Sequence, residues 1–186
     1  MSRPRSFDSR AVVDAAMQAL WSGGVVGTSV DDLLQATGLS RSSLYNSFGN
    51  REGLLAEAVQ RYADQQIAAV RQLFAHAGLE QAMGALLLDA ATSNHDGRGC
   101  LLVNAVGELH EQAGPTVDVV RAAFARLSAA MEQAIRDVAP AGVDAAGLCA
   151  ALMAAIAGMR TLQRADMPLA QRRQAALHLA RALAGS

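Results

Sequence analysis

The chain has 186 residues, enough for one large domain or two small ones, and its 52% hydrophobic content includes only 4% aromatic residues. The apolar mass is therefore mainly Ala, Leu and Val, a composition that favours helices. A net charge of −1 excludes a uniformly basic nucleic-acid binder, so any DNA contact has to come from a local patch. All 16 basic residues are Arg, which suits bidentate contacts to phosphate and guanine better than Lys does. Cys100 and Cys149 form no CxxC pair and His76, His95, His110 and His178 are scattered, which argues against a disulfide framework and a metal site. The start, MSRPRSFD, has no apolar core of a signal peptide. The longest apolar stretch, about Leu148 to Met159, reads as too short for a membrane span of about 20 residues. The expectation is a cytoplasmic chain with no membrane partner and no cofactor.

In chain order, Asp8 or Ser9 can cap a first helix with Val13, Ala16, Met17 and Leu20 inward, ended by Gly23-Gly24. Thr28-Ser29 offers a second cap, with Asp31 and Asp32 well placed in the first turn and Val30, Leu33 and Leu34 as the core face. Gly38 closes that helix, Leu39 fills the turn and Ser40 caps a short third helix on which Leu44 and Phe48 share a face. Gly49 breaks it. Asn50 caps a long fourth helix reaching about His76, with Leu55, Ala58, Val59 and Tyr62 on one stripe. A fifth helix spans about Leu79 to Thr92, and Ser93 to Gly97 reads as a loop. The sixth runs from about Gly99 to Gln112. The seventh starts at Pro115 and carries Val117, Val120, Phe124, Leu127, Met131, Ile135 and Val138 at steps of three and four. The eighth runs from about Val143 to Gln163 and the ninth from about Pro168 to Ala184. No segment alternates as a strand does. The predicted class is all-α, with about nine helices.

Three short helices with the turn Gly38-Leu39-Ser40 between the second and third make a helix-turn-helix. Leu44 and Phe48 anchor the third helix from behind, which leaves Arg41, Ser42, Tyr45 and Asn46 facing outward, and a helix of this size enters a major groove about 12 Å wide. The cap at Ser40 leaves backbone N–H groups where a phosphate can sit. The plain alternative is a three-helix bundle with a merely solvated surface. The run Thr28-Ser-Val-Asp-Asp-Leu-Leu-Gln-Ala-Thr-Gly-Leu-Ser-Arg-Ser-Ser-Leu-Tyr-Asn-Ser-Phe-Gly-Asn-Arg-Glu-Gly-Leu-Leu55 resembles the TetR-family signature almost position for position, over about residues 7 to 62.

That resemblance implies a helix-turn-helix DNA-binding domain in residues 1–50, helix four (50–76) as connector, and a ligand-binding and dimerisation domain in 51–186. It also implies roles. Thr28 matches the family's phosphate-contacting Thr and Tyr45 its phosphate-binding Tyr. Arg41, Ser42 and Ser43 open the recognition helix and are the base-reading candidates. Arg51 stands where the family usually has a backbone-contacting Lys. Asn46-Ser47 departs from many relatives, which puts the operator sequence in doubt. Arg3 and Arg5 either reach DNA or form a free tail.

The second half resembles the family's effector and dimerisation half, and Arg98-Gly-Cys-Leu-Leu-Val is similar to a subgroup that starts its sixth helix with Gly-Cys. Cys100 there has two readings. A helix start and Arg98 favour the thiolate, as in a sensor of electrophiles or oxidants. Otherwise it is a small packing residue, as free Cys often is. Glu108, His110, Glu111 and Arg160 can orient a ligand or simply be solvated. Met83, Leu87, Cys100, Val103, Phe124, Met131 and Met153 are the expected lining of an apolar effector pocket, or part of a filled core. Gly147, Ala151, Ala154 and Gly158 on helix eight, with Ala176, Leu177, Ala180 and Leu183 on helix nine, suit close packing across a two-fold axis.

The expected function is a ligand-responsive regulator, most simply a repressor, that binds a double-stranded operator as a homodimer and releases it on binding a small molecule. No catalytic constellation supports an enzyme. An interaction module without DNA binding draws slight support from the neutral first 62 residues, six Arg against six Asp and Glu.

Overall fold

The computed structural model describes residues 7–92 and 98–185. Among them are nine helices and no strand: α1 Ser9–Gly23, α2 Val30–Thr37, α3 Arg41–Phe48, α4 Arg51–Ala77, α5 Leu79–Thr92, α6 Leu101–Glu108, α7 Pro115–Val138, α8 Ala145–Arg164 and α9 Leu169–Ala184. Arg3, Arg5, His95 and the loop expected at 93–97 lie outside the described residues.

Contacts divide the chain into two compact units, Met1–Asp64 with Leu101–Phe124, and Gln65–Cys100 with Ala125–Ser186. This differs from the functional division expected at residue 50. The first half of α4 supplies core to the first unit, since Leu54, Leu55, Ala58, Val59 and Tyr62 are all buried. The Tyr62 ring meets Trp21 of α1 edge-on, with centroids 5.3 Å apart, a favourable aromatic geometry. Arg61 Nε donates to Asp14 Oδ1 at 2.8 Å and ties α4 to α1 at the surface. The inward face expected for α1, Val13, Ala16, Met17 and Leu20, is buried. Asp8 caps it, accepting from the Arg10 N–H at 2.9 Å.

α6 is shorter than the span expected from 99 to 112. Gly99, at φ 68°, stands outside helical geometry. At the other end the Glu108 carboxylate accepts from the Val26 N–H at 3.0 Å, and the chain passes into a turn in which the Gln112 N–H donates to the Leu109 carbonyl at 3.0 Å.

In the second unit α5 packs against α8 and α9. Asp144 caps α8, its side chain accepting from the Gly147 N–H at 3.1 Å. Helix α8 corrects the reading of its apolar stretch as short. The helix has 20 residues and its most apolar stretch has a mean hydropathy of 1.6, long and apolar enough to cross a membrane by length and composition. A core helix of a soluble protein passes the same test, and α8 carries a buried stripe of Ala145, Leu148, Cys149, Leu152, Met159 and Arg160. Arg160, which follows the apolar stretch in sequence, is itself inside. The small residues Gly147, Ala151, Ala154 and Gly158 are exposed on the opposite side.

Candidate nucleic-acid interface

The interface is built by local capping. Ser29 caps α2 with a capping box, in which the Ser29 Oγ accepts from the Asp32 N–H at 3.2 Å and the Asp32 carboxylate accepts from the Ser29 N–H at 2.8 Å. The Ser29 hydroxyl and amide together hold the Asp32 carboxyl below its usual range. Gly38 ends α2 in the left-handed region, at φ 69° and ψ 10°, and its N–H reaches the Leu34 carbonyl at 2.9 Å. A side chain at that position would be strained. Leu39 is buried in the turn. Ser40 then caps α3, accepting from the Ser43 N–H at 3.1 Å.

Leu44 is fully buried and fixes α3 from behind, with Phe48 half-buried one turn on. The opposite face is open. Ser40, Arg41, Ser42, Tyr45 and Asn46 are exposed and Ser43 is half-buried, with Tyr45 keeping 48% of its surface accessible. Helix geometry leaves the N–H groups of Arg41 and Ser42 without an acceptor inside the helix. Six of the eight residues expected to touch DNA are thus gathered on one short helix and its cap. Arg41 is held by a partner that the sequence reading missed: its Nη2 donates to Asp31 Oδ1 at 2.6 Å, from exposed side chains on both sides. The two are ten positions apart across the turn, a separation no helical spacing rule examines.

Thr28 and Arg51 are engaged inside the fold. Thr28 is 3% exposed and its Oγ1 donates to the Gly24 carbonyl at 2.6 Å. Arg51 donates from Nε and Nη2 to the Thr28 carbonyl at 3.0 and 2.7 Å, and from Nη2 to the Val25 carbonyl at 2.6 Å. With 18% of its side chain exposed, this guanidinium braces the α1–α2 connection against the start of α4. The planar fork presents these donors in a fixed, pre-organised geometry, which a flexible lysine ammonium does not.

Of the expected effector lining, Met83, Leu87 and Met131 are buried in the second unit, where Cys100 and Met153 are half-buried. Val103 and Phe124 belong to the first unit and are half-buried there. Cys100 immediately precedes α6. Cys149 is buried, its Sγ 3.6 Å from the Ser128 carbonyl, and burial pushes its thiol above the usual range. Glu108 serves the fold through Val26, while His110 and Glu111 are exposed and near one another. No group of three His, Cys, Asp or Glu side chains among the described residues could hold a metal ion.

The family profile "Bacterial regulatory proteins, tetR family" matches residues 12–58. The HTH-type transcriptional repressor ComR of Escherichia coli (strain K12) is 32% identical over 136 residues, 70% of this chain and 65% of ComR. An uncharacterized HTH-type transcriptional regulator of Bacillus subtilis (strain 168), YezE, is 30% identical over 112 residues, 58% of each chain. The match therefore spans less than two thirds of either curated relative. Among solved structures, a cysteine-substituted TetR family transcriptional regulator CifR, complexed with 26-bp double-strand operator DNA, aligns with a TM-score of 0.78 at 25% identity. That alignment covers 97% of this chain and 99% of CifR. A TetR-family regulator from Rhodococcus sp. aligns at a TM-score of 0.72 and 19% identity, a likeness of fold.

Proposed function

Because the chain belongs to the TetR family of bacterial regulatory proteins, we propose that it is a DNA-binding transcriptional repressor acting as a homodimer on an inverted-repeat operator. The observation that carries this reading is the open face of α3, where Ser40, Arg41, Ser42, Ser43, Tyr45 and Asn46 stand together above a buried Leu44. Arg41 is the base-reading side chain, with Ser42 and Ser43 beside it. Tyr45, Asn46 and the cap at Ser40 contact the DNA backbone. Thr28 and Arg51 position this helix from inside rather than touching phosphate themselves. The operator-bound CifR supports DNA as the partner.

Homodimer formation is supported by the exposed small residues of α8, by Leu169 and Leu177 exposed at 49% and 43% on α9, and by the burial of only 33% of the apolar α8 segment within the chain. The small-molecule effector site falls in the second unit, around Met83, Leu87, Met131, Met153 and Cys100. Helix α4 is continuous from Arg51 to Ala77 and contributes residues to both units, so a ligand that displaces its far end moves the element on which the DNA-binding unit is built. Half-sites repeat about every 34–36 Å, and a coupling of about 1–3 kcal/mol is enough for regulation. The reading places the protein in the cytoplasm with no membrane partner.

A gel shift with the DNA flanking its own gene tests the proposal. A discrete complex that survives excess random DNA and is abolished by Tyr45→Ala supports it. Failure to bind any flanking segment better than random DNA rejects it.

A further inference from the structure

Arg160 is the one charged residue on the buried stripe of α8, next to Met159 and two turns beyond Leu152. The residue is 8% exposed and its side chain 9%. Nη2 donates to Asp89 Oδ2 of α5 at 2.7 Å. Nε and Nη1 are also buried and have no hydrogen-bond acceptor. A guanidinium carries five N–H donors and no way to shed its charge in a protein. One carboxylate oxygen at one nitrogen therefore leaves most of a buried cation's donors unmet, an arrangement that native interiors almost never keep without a purpose. Asp89 stands at the rim, with 52% of its side chain in solvent, so it does not enclose the cation.

The surroundings state what a second acceptor would be attached to. On α5, Met83, Leu87 and Ala90 are fully buried, and on α8 so is Leu152, with Met159 nearly so. The two helices pack on each other within one compact unit. A second cation lies at the same end of α5: Arg172 donates from Nη1 to the Ala91 carbonyl at 2.8 Å and from Nε to the Met167 carbonyl at 2.9 Å. An apolar interior with one under-satisfied guanidinium is complementary to an amphiphilic anion, because a carboxylate forms charge-assisted, often two-pronged bonds to Arg.

We propose that Arg160 anchors a ligand site between α5 and α8 that takes a small organic acid, its carboxylate on the Arg160 guanidinium in place of Asp89 and its apolar body against the buried side chains of α5 and α8. This rests on the effector reading above and narrows it from an apolar molecule to an apolar acid. Asp89 competes with the ligand for the same cation and sets how tightly it binds.

The test uses the full-length protein with octanoate, decanoate and benzoate as probes, each beside its uncharged methyl ester, followed by calorimetric titration and thermal shift. At least one acid binds and raises Tm, and its ester binds about ten-fold more weakly. Arg160→Gln reduces the acid's affinity to that of the ester while leaving the ester unchanged. Asp89→Asn, at an exposed position, tightens the acid several-fold by removing the competing carboxylate. If Arg160→Gln does not fold, the Asp89→Asn result decides alone. The proposal is overturned if no acid binds either the native protein or Asp89→Asn, if Asp89→Asn leaves acid affinity unchanged or weaker, or if Arg160→Gln binds acids as well as the native chain. Operator release is measured separately. An acid that binds through Arg160 without releasing operator DNA keeps this site and removes the effector mechanism. Release by a neutral compound alone, with no acid bound, does the reverse.

Discussion

The carbonyl oxygen of Thr28 accepts two hydrogen bonds from one side chain, Arg51 Nε at 3.0 Å and Arg51 Nη2 at 2.7 Å, joining the residue before the α2 cap to the first residue of α4. The recognition helix lies between these anchor points in the sequence, so the brace fixes both ends of the segment that carries it. Arg51→Met should lower stability by about 2 kcal/mol in urea denaturation, since hydrogen bonds to a charged donor contribute about 1.5–3 kcal/mol. Arg51→Lys should recover less than half of the loss, having no fork. Unchanged stability in both variants would show that the brace is not formed in solution.

Asp31 and Arg41 form an exposed pair at 2.6 Å on the face assigned to DNA. Exposed pairs contribute only about 0–1 kcal/mol, so DNA can displace Asp31 at small cost while its charge still repels phosphate. Asp31→Asn should strengthen binding to random DNA several-fold and narrow the preference for operator, as read by fluorescence anisotropy at two salt concentrations. Weaker binding to both DNAs would mean that Asp31 holds Arg41 in its working geometry instead.

The small residues on the outer side of α8 make a direct claim about assembly. Ala154 is exposed within the chain, so Ala154→Arg should leave the helical content intact and convert dimers to monomers in sedimentation. A wild type that is already monomeric at micromolar concentration would end the dimer proposal.

Acid should act on the α1–α4 junction. Arg61 donates to the Asp14 carboxylate and holds its carboxyl below the ordinary 3.8. A lowered folded-state value means the contribution is complete above the unfolded value and disappears as the pH falls through the folded one. With 39% of the Asp14 side chain exposed, the gain is discounted to under about 1 kcal/mol. Asp14→Asn should therefore cost its full, small amount near pH 7 and progressively less as the pH falls below about 4, which flattens the acid limb of the stability curve. A constant difference across that range would assign the effect to packing.

The two thiols should separate by reactivity. Burial, ahead of the Glu132 charge, raises the Cys149 thiol, so it should react with a disulfide reagent only as the protein unfolds. Half-buried Cys100 should react first. Cys100→Ser tests whether that exposure matters to induction: retained induction fits packing, while selective loss of the response to an electrophile fits a sensor.

The parts of this molecule readable from sequence are those set by neighbours along the chain. Asp8, Ser29 and Ser40 each cap a helix by accepting from a residue two or three positions on, and Gly38 and Gly49 end helices at positive φ. The buried stripe of α4 through Leu55, Ala58, Val59 and Tyr62 follows from its spacing. What the sequence hid depends on distant partners. Glu108 reaches Val26 across 82 positions, which helps to end α6 earlier than its composition suggests. Arg51 turns inward because two carbonyls happen to face it. Arg160, read as a polar stop to an apolar run, is buried because α5 lies over it with Asp89 at the edge.

The central claim is that the open face of α3 reads a specific DNA sequence. The most direct measurement is the ratio of affinities for the DNA flanking its own gene and for random duplex, at one stated salt concentration, for the wild type, Tyr45→Ala and Arg41→Ala. The account predicts a wild-type preference of at least about 10³-fold. Tyr45→Ala should weaken binding to both DNAs, and Arg41→Ala should cost about 1–3 kcal/mol on the flanking DNA while relaxing the preference. Equal wild-type affinity for the two DNAs, or a preference untouched by both substitutions, would contradict it.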